Sequence, residues 1–388
     1  NKLLYFGHLS ILLLSFHGFA NSNIDSLFQK EIQYYNLELE TTNNYYDSKL
    51  GTINTQLNQL NRIMSTDEVN VKLLYQKVML LEQKSQLEDQ YGVELTKTRY
   101  KKGLAIIKLI YEKLLDLDHH FSTLRTQQTI SNLTNPNSYP EFRDTKKLLE
   151  QKAAGGKQGI PLQLPAILQS NPYISTTYSL LSSFLGARSN RSSASDKESL
   201  DEISCIMDFT VRMHSDLNTI YYETEYLKEG NKTVKEECIS LFEEYVEVVN
   251  YHTPLPICRN EDDWDKIHES LNSITTKIVE DIEAGVNAPN SSAYKKQVDL
   301  EFSVDRLLTF INNYTTLISQ GEKYYQKFEK ILSNYSNEAT CMQQLSTQYE
   351  YTDIKMDVQN SIRKFKEAYN ISELRGSKLK SLLYGYEN

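Results

Sequence analysis

The sequence predicts an all-α protein: a long antiparallel helical hairpin with coiled-coil character, an uncharged insert, and a C-terminal multi-helix bundle. Three observations predict it. Apolar residues recur at spacings of three and four over tens of residues, and no segment sustains period-two alternation. Only 14 Gly and 8 Pro occur in 388 residues, too few for the turns of a sandwich or barrel. A hydrophobic content of 39% and a mean hydropathy of -0.52 suit long thin helices, each of which buries only a stripe.

The first twenty residues read as a cleavable secretory leader. Lys2 gives a positive start, Leu9–Leu14 an apolar core, and Gly18-Phe19-Ala20 a small-residue cut site before polar Asn21. That core is too short for a stable membrane anchor. The expected compartment is therefore the periplasm, the cell surface or the medium.

The hairpin is expected over 21–127. Residues 24–64 carry Phe28, Ile32, Tyr35 and Leu39, then Tyr46, Leu50, Ile53, Leu57, Leu60 and Met64, a heptad-like seam with one phase shift near Thr42. Ser65 and Glu68 form the capping box of a second helix, from about 66 to about 124. Its stripe starts at Val71, Leu74, Val78 and Leu81 and finishes at Leu104, Ile107, Tyr111, Leu114 and Phe121. The short connection predicts an antiparallel pair, and the longer second helix must find further partners in the C-terminal half.

A loop at 125–139 leads into the linker, 128–196, which holds a short helix near 141–153 and the hinge Gly155-Gly156. Its insert, 158–187, holds no charged residue. Asn171-Pro172 opens an apolar helical piece with Ile174, Tyr178, Leu181, Phe184 and Leu185 on one face. The expected role of this insert is a plug packed against the long helices. Its alternative is a membrane-touching tongue, although Pro161, Pro165 and Pro172 argue against a simple spanning helix.

The bundle, 197–388, is expected to contain helices at 197–228 and 233–251, broken at Gly230-Asn231. Others follow at 262–284 and 291–335, then shorter ones at 338–348, 353–369 and 373–384. Gly321 falls on the seam of the 291–335 helix, where it predicts close packing rather than a helix end.

Four cysteines in an exported chain predict two disulfides. In a hairpin turning at 230–231, Cys205 and Cys258 lie equidistant from the turn, so they are expected to pair, leaving Cys238 with Cys341. The 27 tyrosines, with doublets at 34–35, 45–46, 221–222 and 324–325, predict rings at the edge of thin bundles with hydroxyls in water. Seven Asn-x-Ser/Thr sequons, at Asn132, Asn190, Asn231, Asn290, Asn313, Asn334 and Asn370, are at the level chance gives in a chain this rich in Asn, Ser and Thr.

No hydrolase elbow, Walker loop, dinucleotide fingerprint or zincin motif occurs. Asp116 and His120, four apart on a helix beside His119, are the best metal candidate, but a polar helix face explains them as well. Glu261-Asp262-Asp263 before Trp264 reads as acids at a helix N-terminus rather than a calcium loop. The basic run Lys97–Lys102 reads as the solvated face of a bundle helix. A net charge of -9 argues against nucleic acid.

The expected function is a non-enzymatic exported scaffold or binding module. It takes a protein partner or a second copy of itself, and no metal or cofactor. The alternative is a membrane-active, pore-forming-type helical toxin that works through the insert.

Overall fold

A computed structural model describes residues 6–66, 71–123, 134–138, 142–144, 147, 194–284, 292–336, 356, 359–366, 368–369, 374 and 376–384. Every regular element among them is helical: α1 (Phe6–Thr66), α2 (Val71–Thr123), α3 (Ala194–Glu247), α4 (Leu255–Glu261), α5 (Trp264–Glu283), α6 (Ser292–Ser336) and α7 (Gly376–Tyr384), with a 3-10 turn at Pro136–Ser138. α1 runs without a break past the expected leader cut. The insert at 158–187, with Ile174, Tyr178, Leu181, Phe184 and Leu185, lies outside the described residues. So do the expected helix at 338–348 and Cys341.

Packing divides the chain into two units that each draw on several stretches, unlike the sequential division expected. Unit 1 comprises Asn1–Leu117, Asn231–Thr316 and Ala368–Asn388; unit 2 comprises Asp118–Gly230 and Leu317–Glu367.

In unit 1, α1 contacts α2 in antiparallel order. Asp25 pairs with Lys113 at 2.8 Å and Glu38 with Lys101 at 2.7 Å, while the Tyr91 hydroxyl donates to Asn43 at 2.9 Å. The α1 seam Phe28, Ile32, Tyr35, Tyr46, Ile53, Leu57 and Leu60 is buried as its spacing predicts. The run Leu104, Ala105, Ile106, Ile107, Leu109, Ile110 and Tyr111 of α2 is buried on every side. A helix apolar all round needs neighbours all round. Besides α1, they come from the C-terminal half: Thr96 donates to Glu301 of α6, and Arg99 stacks on Tyr384 of α7.

Tyr100 of α2 and Tyr245 of α3 form a reciprocal lock. The Tyr100 hydroxyl donates to the Tyr245 carbonyl at 2.5 Å, and the Tyr245 hydroxyl returns to the Tyr100 carbonyl at 2.8 Å. Their rings stack at 4.3 Å. Gly103, one turn on, lets the Tyr245 ring sit against bare backbone; a Cβ there would lie 3.0 Å from its Cζ and closer still to its hydroxyl. These two tyrosines and Tyr314 are fully buried, so the expectation of tyrosines at bundle edges with wet hydroxyls fails for them. The doublets at 34–35 and 45–46 do split as an edge position requires: Tyr35 and Tyr46 face in, Tyr34 and Tyr45 face out.

The expected break at Gly230-Asn231 is absent, because α3 is one helix through it. Asn231 is fully buried, and its amide donates to the Leu114 carbonyl at 3.2 Å. Gly230 lets the Leu317 side chain approach within 3.3 Å of where a Cβ would stand. Tertiary packing outweighs the local stop signal. The chain turns instead at 248–250, where Asn250 adopts a positive φ of 59°. The buried Asn231 side chain is also closed to glycosylation in the folded protein.

In unit 2, α3 meets α6. Tyr335 donates to Asp216 at 2.6 Å, and the hydroxyls of Thr224 and Tyr324 lie 2.9 Å apart. Gly321 packs as its seam position predicts: a Cβ there would meet the Phe365 ring at 2.5 Å. Phe365 and Tyr325 are 5.1 Å apart between centroids.

Candidate interaction surface

On α2, Leu73, Leu80 and Leu87 are half-buried, and Leu80 shares the lining of one groove with Leu60 of α1. The opposite face of the same turns carries Val71, Leu74, Val78 and Leu81, at heptad spacing. Residues 71 and 78 lie about 180° around the helix axis from residue 80. Tyr75 and Met79 widen this outer stripe, and Ile63 of α1 flanks it. These seven side chains are each 45–82% exposed.

A groove of about 410 Å³ runs beside the stripe, lined among others by Leu60 and Ile63 of α1 and Tyr75 and Met79 of α2. No charged residue lines it; its polar members are Gln56, Gln59 and Gln76. Scattered exposed apolar residues are ordinary, but these seven cluster on neighbouring turns of α1 and α2.

The sequence analysis read Val71, Leu74, Val78 and Leu81 as the start of a packing seam. Among the described residues they are the face left over after α1 is satisfied. Residues 71–81 carry more apolar positions than one neighbour can cover, and that excess is the signal by which Tyr75 and Met79 could have been found.

The other sequence-predicted sites come out differently. Cys238 and Cys258 are buried free thiols, and burial pushes both pKa values up. Because α3 has no turn at 230–231, Cys205 and Cys238 share one uninterrupted helix, and the register that paired Cys205 with Cys258 does not exist. The Cys205 side chain lies outside the described residues, as does Cys341.

His120 is buried against Phe121, Tyr325 and Phe365, and its Nε2 shares a hydrogen bond with the Tyr325 hydroxyl. Burial first, then the Lys364 charge, lowers its pKa to about 4. It is a neutral core histidine. No group of three His, Cys, Asp or Glu side chains able to hold a metal occurs among the described residues. The acids before α5 act locally: Asp263 pairs with Lys266 at 2.8 Å.

The basic run is not a solvated face. Lys97 pairs with Glu94 at 3.5 Å and Lys101 with Glu38, while Lys102 is fully buried with no hydrogen-bond partner for its ammonium among the described residues. Desolvation, then the nearby Arg99 charge, lowers the Lys102 pKa to about 8. No helix among the described residues is long and apolar enough to cross a membrane. No family model, curated protein or solved structure matches the chain.

Proposed function

We propose that this protein is an exported, non-enzymatic interaction protein. The outer face of α2, in the α1–α2 pair, serves as the docking surface. The observation that carries this reading is the stripe Val71, Leu74, Val78 and Leu81, exposed on a helix whose opposite face is already packed. Water gains by its removal, at roughly 25 cal/mol per Å² of apolar surface covered. The groove beside it has the form that accepts a partner helix at spacings of three and four. Export rests on the apolar run Leu9–Leu14 and the small residues before Asn21.

The test is site-specific photo-crosslinking from position 75 in the protein's own cells. The unaltered stripe should give discrete protein adducts, and Leu74→Glu with Val78→Glu should abolish them. Both positions are exposed, so folding should be untouched. Adducts that persist unchanged in the double variant would refute the docking surface.

A further inference from the structure

We infer that the helical segment 359–366 is an acid-released strap of unit 2: protonation of His120 lifts the Phe365 ring from its seat on α6 and frees the segment while α6 stays folded. The inference is independent of the docking surface on α2.

The strap has a narrow footing. Of its eight residues only Ile362 and Phe365 are buried, whereas Gln359, Asn360, Arg363, Lys364 and Lys366 are exposed. The Phe365 ring enters tip first against Gly321 of α6. A Cβ on that glycine would stand 2.5 Å from the ring's Cζ and 3.1 and 3.3 Å from its two Cε atoms. Around the ring, between centroids, are Tyr325 at 5.1 Å, His120 at 5.8 Å and Phe121 at 6.5 Å. A segment held by two side chains opens at a fraction of the cost of unfolding the whole unit.

His120 makes this seat sensitive to acid. Its ring packs on Phe121, Tyr325 and Phe365, and its Nε2 shares a hydrogen bond with the Tyr325 hydroxyl. A neutral imidazole fits there, but an imidazolium must give up its hydration. The aromatic rings return little, because their centroids lie 5.6–5.8 Å away, near the limit of about 6 Å for a cation–π contact. The charges that face the ring add to the cost: Lys364 from the strap itself and His119 from α2. α6 faces it with the Tyr325 hydroxyl. Asp116, one turn back on α2, lies within reach of Tyr369 and Arg259.

Burial first, then these two charges, hold the His120 pKa at about 4 with the strap closed, against 6.5 for a hydrated ring. Closure is therefore fully favoured above pH 6.5 and loses ground as pH falls toward 4. Once His120 is charged, it and Lys364 are like charges on facing elements, so the strap contributes to its own release.

The experiment is hydrogen exchange of the full chain at pH 7 and pH 5, read peptide by peptide and divided by the intrinsic amide rate at each pH. Protection of 359–366 should fall about twentyfold between them. It should also stand at least about tenfold below that of the α6 peptide through Tyr325 at both pH values, because the strap opens without α6. His120→Gln keeps an amide that can bond the Tyr325 hydroxyl and cannot titrate, so its strap should hold one protection value at both. Lys364→Gln, at an exposed position, should show a smaller fall than the unaltered chain.

Strap protection that does not change with pH overturns the inference. So does one protection value shared by 359–366 and α6, since the whole unit then opens together. A fall of the same size in His120→Gln overturns it as well, because another group then carries the acid response. Should His120→Gln fail to fold, a Lys364→Gln fall equal to that of the unaltered chain is the overturning result.

Discussion

Gly103→Ala is the sharpest probe of how unit 1 is held together. On an exposed helix the change would stabilise by about 1 kcal/mol, because alanine is the better helix former. Here the new methyl would stand 3.0 Å from the Tyr245 Cζ, nearer still to its hydroxyl, and 3.1 Å from Leu307. The ring cannot retreat freely, since it is stacked on Tyr100 at 4.3 Å and tied at both ends of the reciprocal hydrogen bonds. Overpacking of this kind costs about 1–3 kcal/mol. A displaced buried hydroxyl adds about 1–3 kcal/mol more. Net of helix propensity, the expected loss is about 3 kcal/mol. Tyr245→Phe removes the atom struck first and should by itself cost about 1 kcal/mol, because the Tyr100 carbonyl keeps its helical partner. In that background Gly103→Ala should be nearly neutral, so the double-mutant cycle should show about 1–3 kcal/mol of coupling. Urea unfolding of the four proteins, followed by tryptophan fluorescence, measures it. A stabilised Gly103→Ala protein, or two effects that simply add, would refute the lock.

Three further outcomes follow from buried groups. Lys102→Met should stabilise by about 1–3 kcal/mol at pH 7, because it removes a buried charge with no hydrogen-bond partner among the described residues. The Lys102 pKa is about 8 folded against 10.5 unfolded, so the unfolded chain holds the extra proton between those values. The penalty is full below pH 8 and fades as pH rises to 10.5; urea midpoints of both proteins across that window check this. His120 has a folded pKa of about 4 against 6.5, so stability should fall as pH drops from 6.5 to 4. His120→Gln should lose part of that acid sensitivity in thermal melts at pH 7 and pH 5. Cys238 and Cys258, buried with raised thiol pKa values, should react with a thiol reagent at least about a hundredfold more slowly in the native protein than in urea, read by peptide mapping.

Helix type was legible wherever a stripe stayed in phase, as along Ile53, Leu57 and Leu60 or Leu307, Ile311 and Tyr314. Gly321 was legible because its place on a seam leaves only close approach as an explanation. Gly230-Asn231 was misread because a stop signal is local, whereas the Leu114 carbonyl that satisfies Asn231 lies more than a hundred residues away in sequence. The burial of Lys102 was illegible for the same reason: charge predicts solvent unless neighbours on every side exclude it. The candidate surface was half legible. Val71, Leu74, Val78 and Leu81 form a stripe in the sequence, but periodicity says only that a face is apolar, not which of two apolar faces the neighbouring helix takes.

The chain carries one tryptophan, Trp264, and it lies in unit 1, edge-on to Phe242 at 5.9 Å with the Lys108 ammonium 4.9 Å from its ring centre. Unit 2 contains none. Indole emission is therefore an optical signal from one unit alone, whereas far-UV dichroism sums helices from both. Transitions that superimpose by the two probes would mark a single cooperative block. Transitions that separate would assign each step to its own unit without any label being introduced.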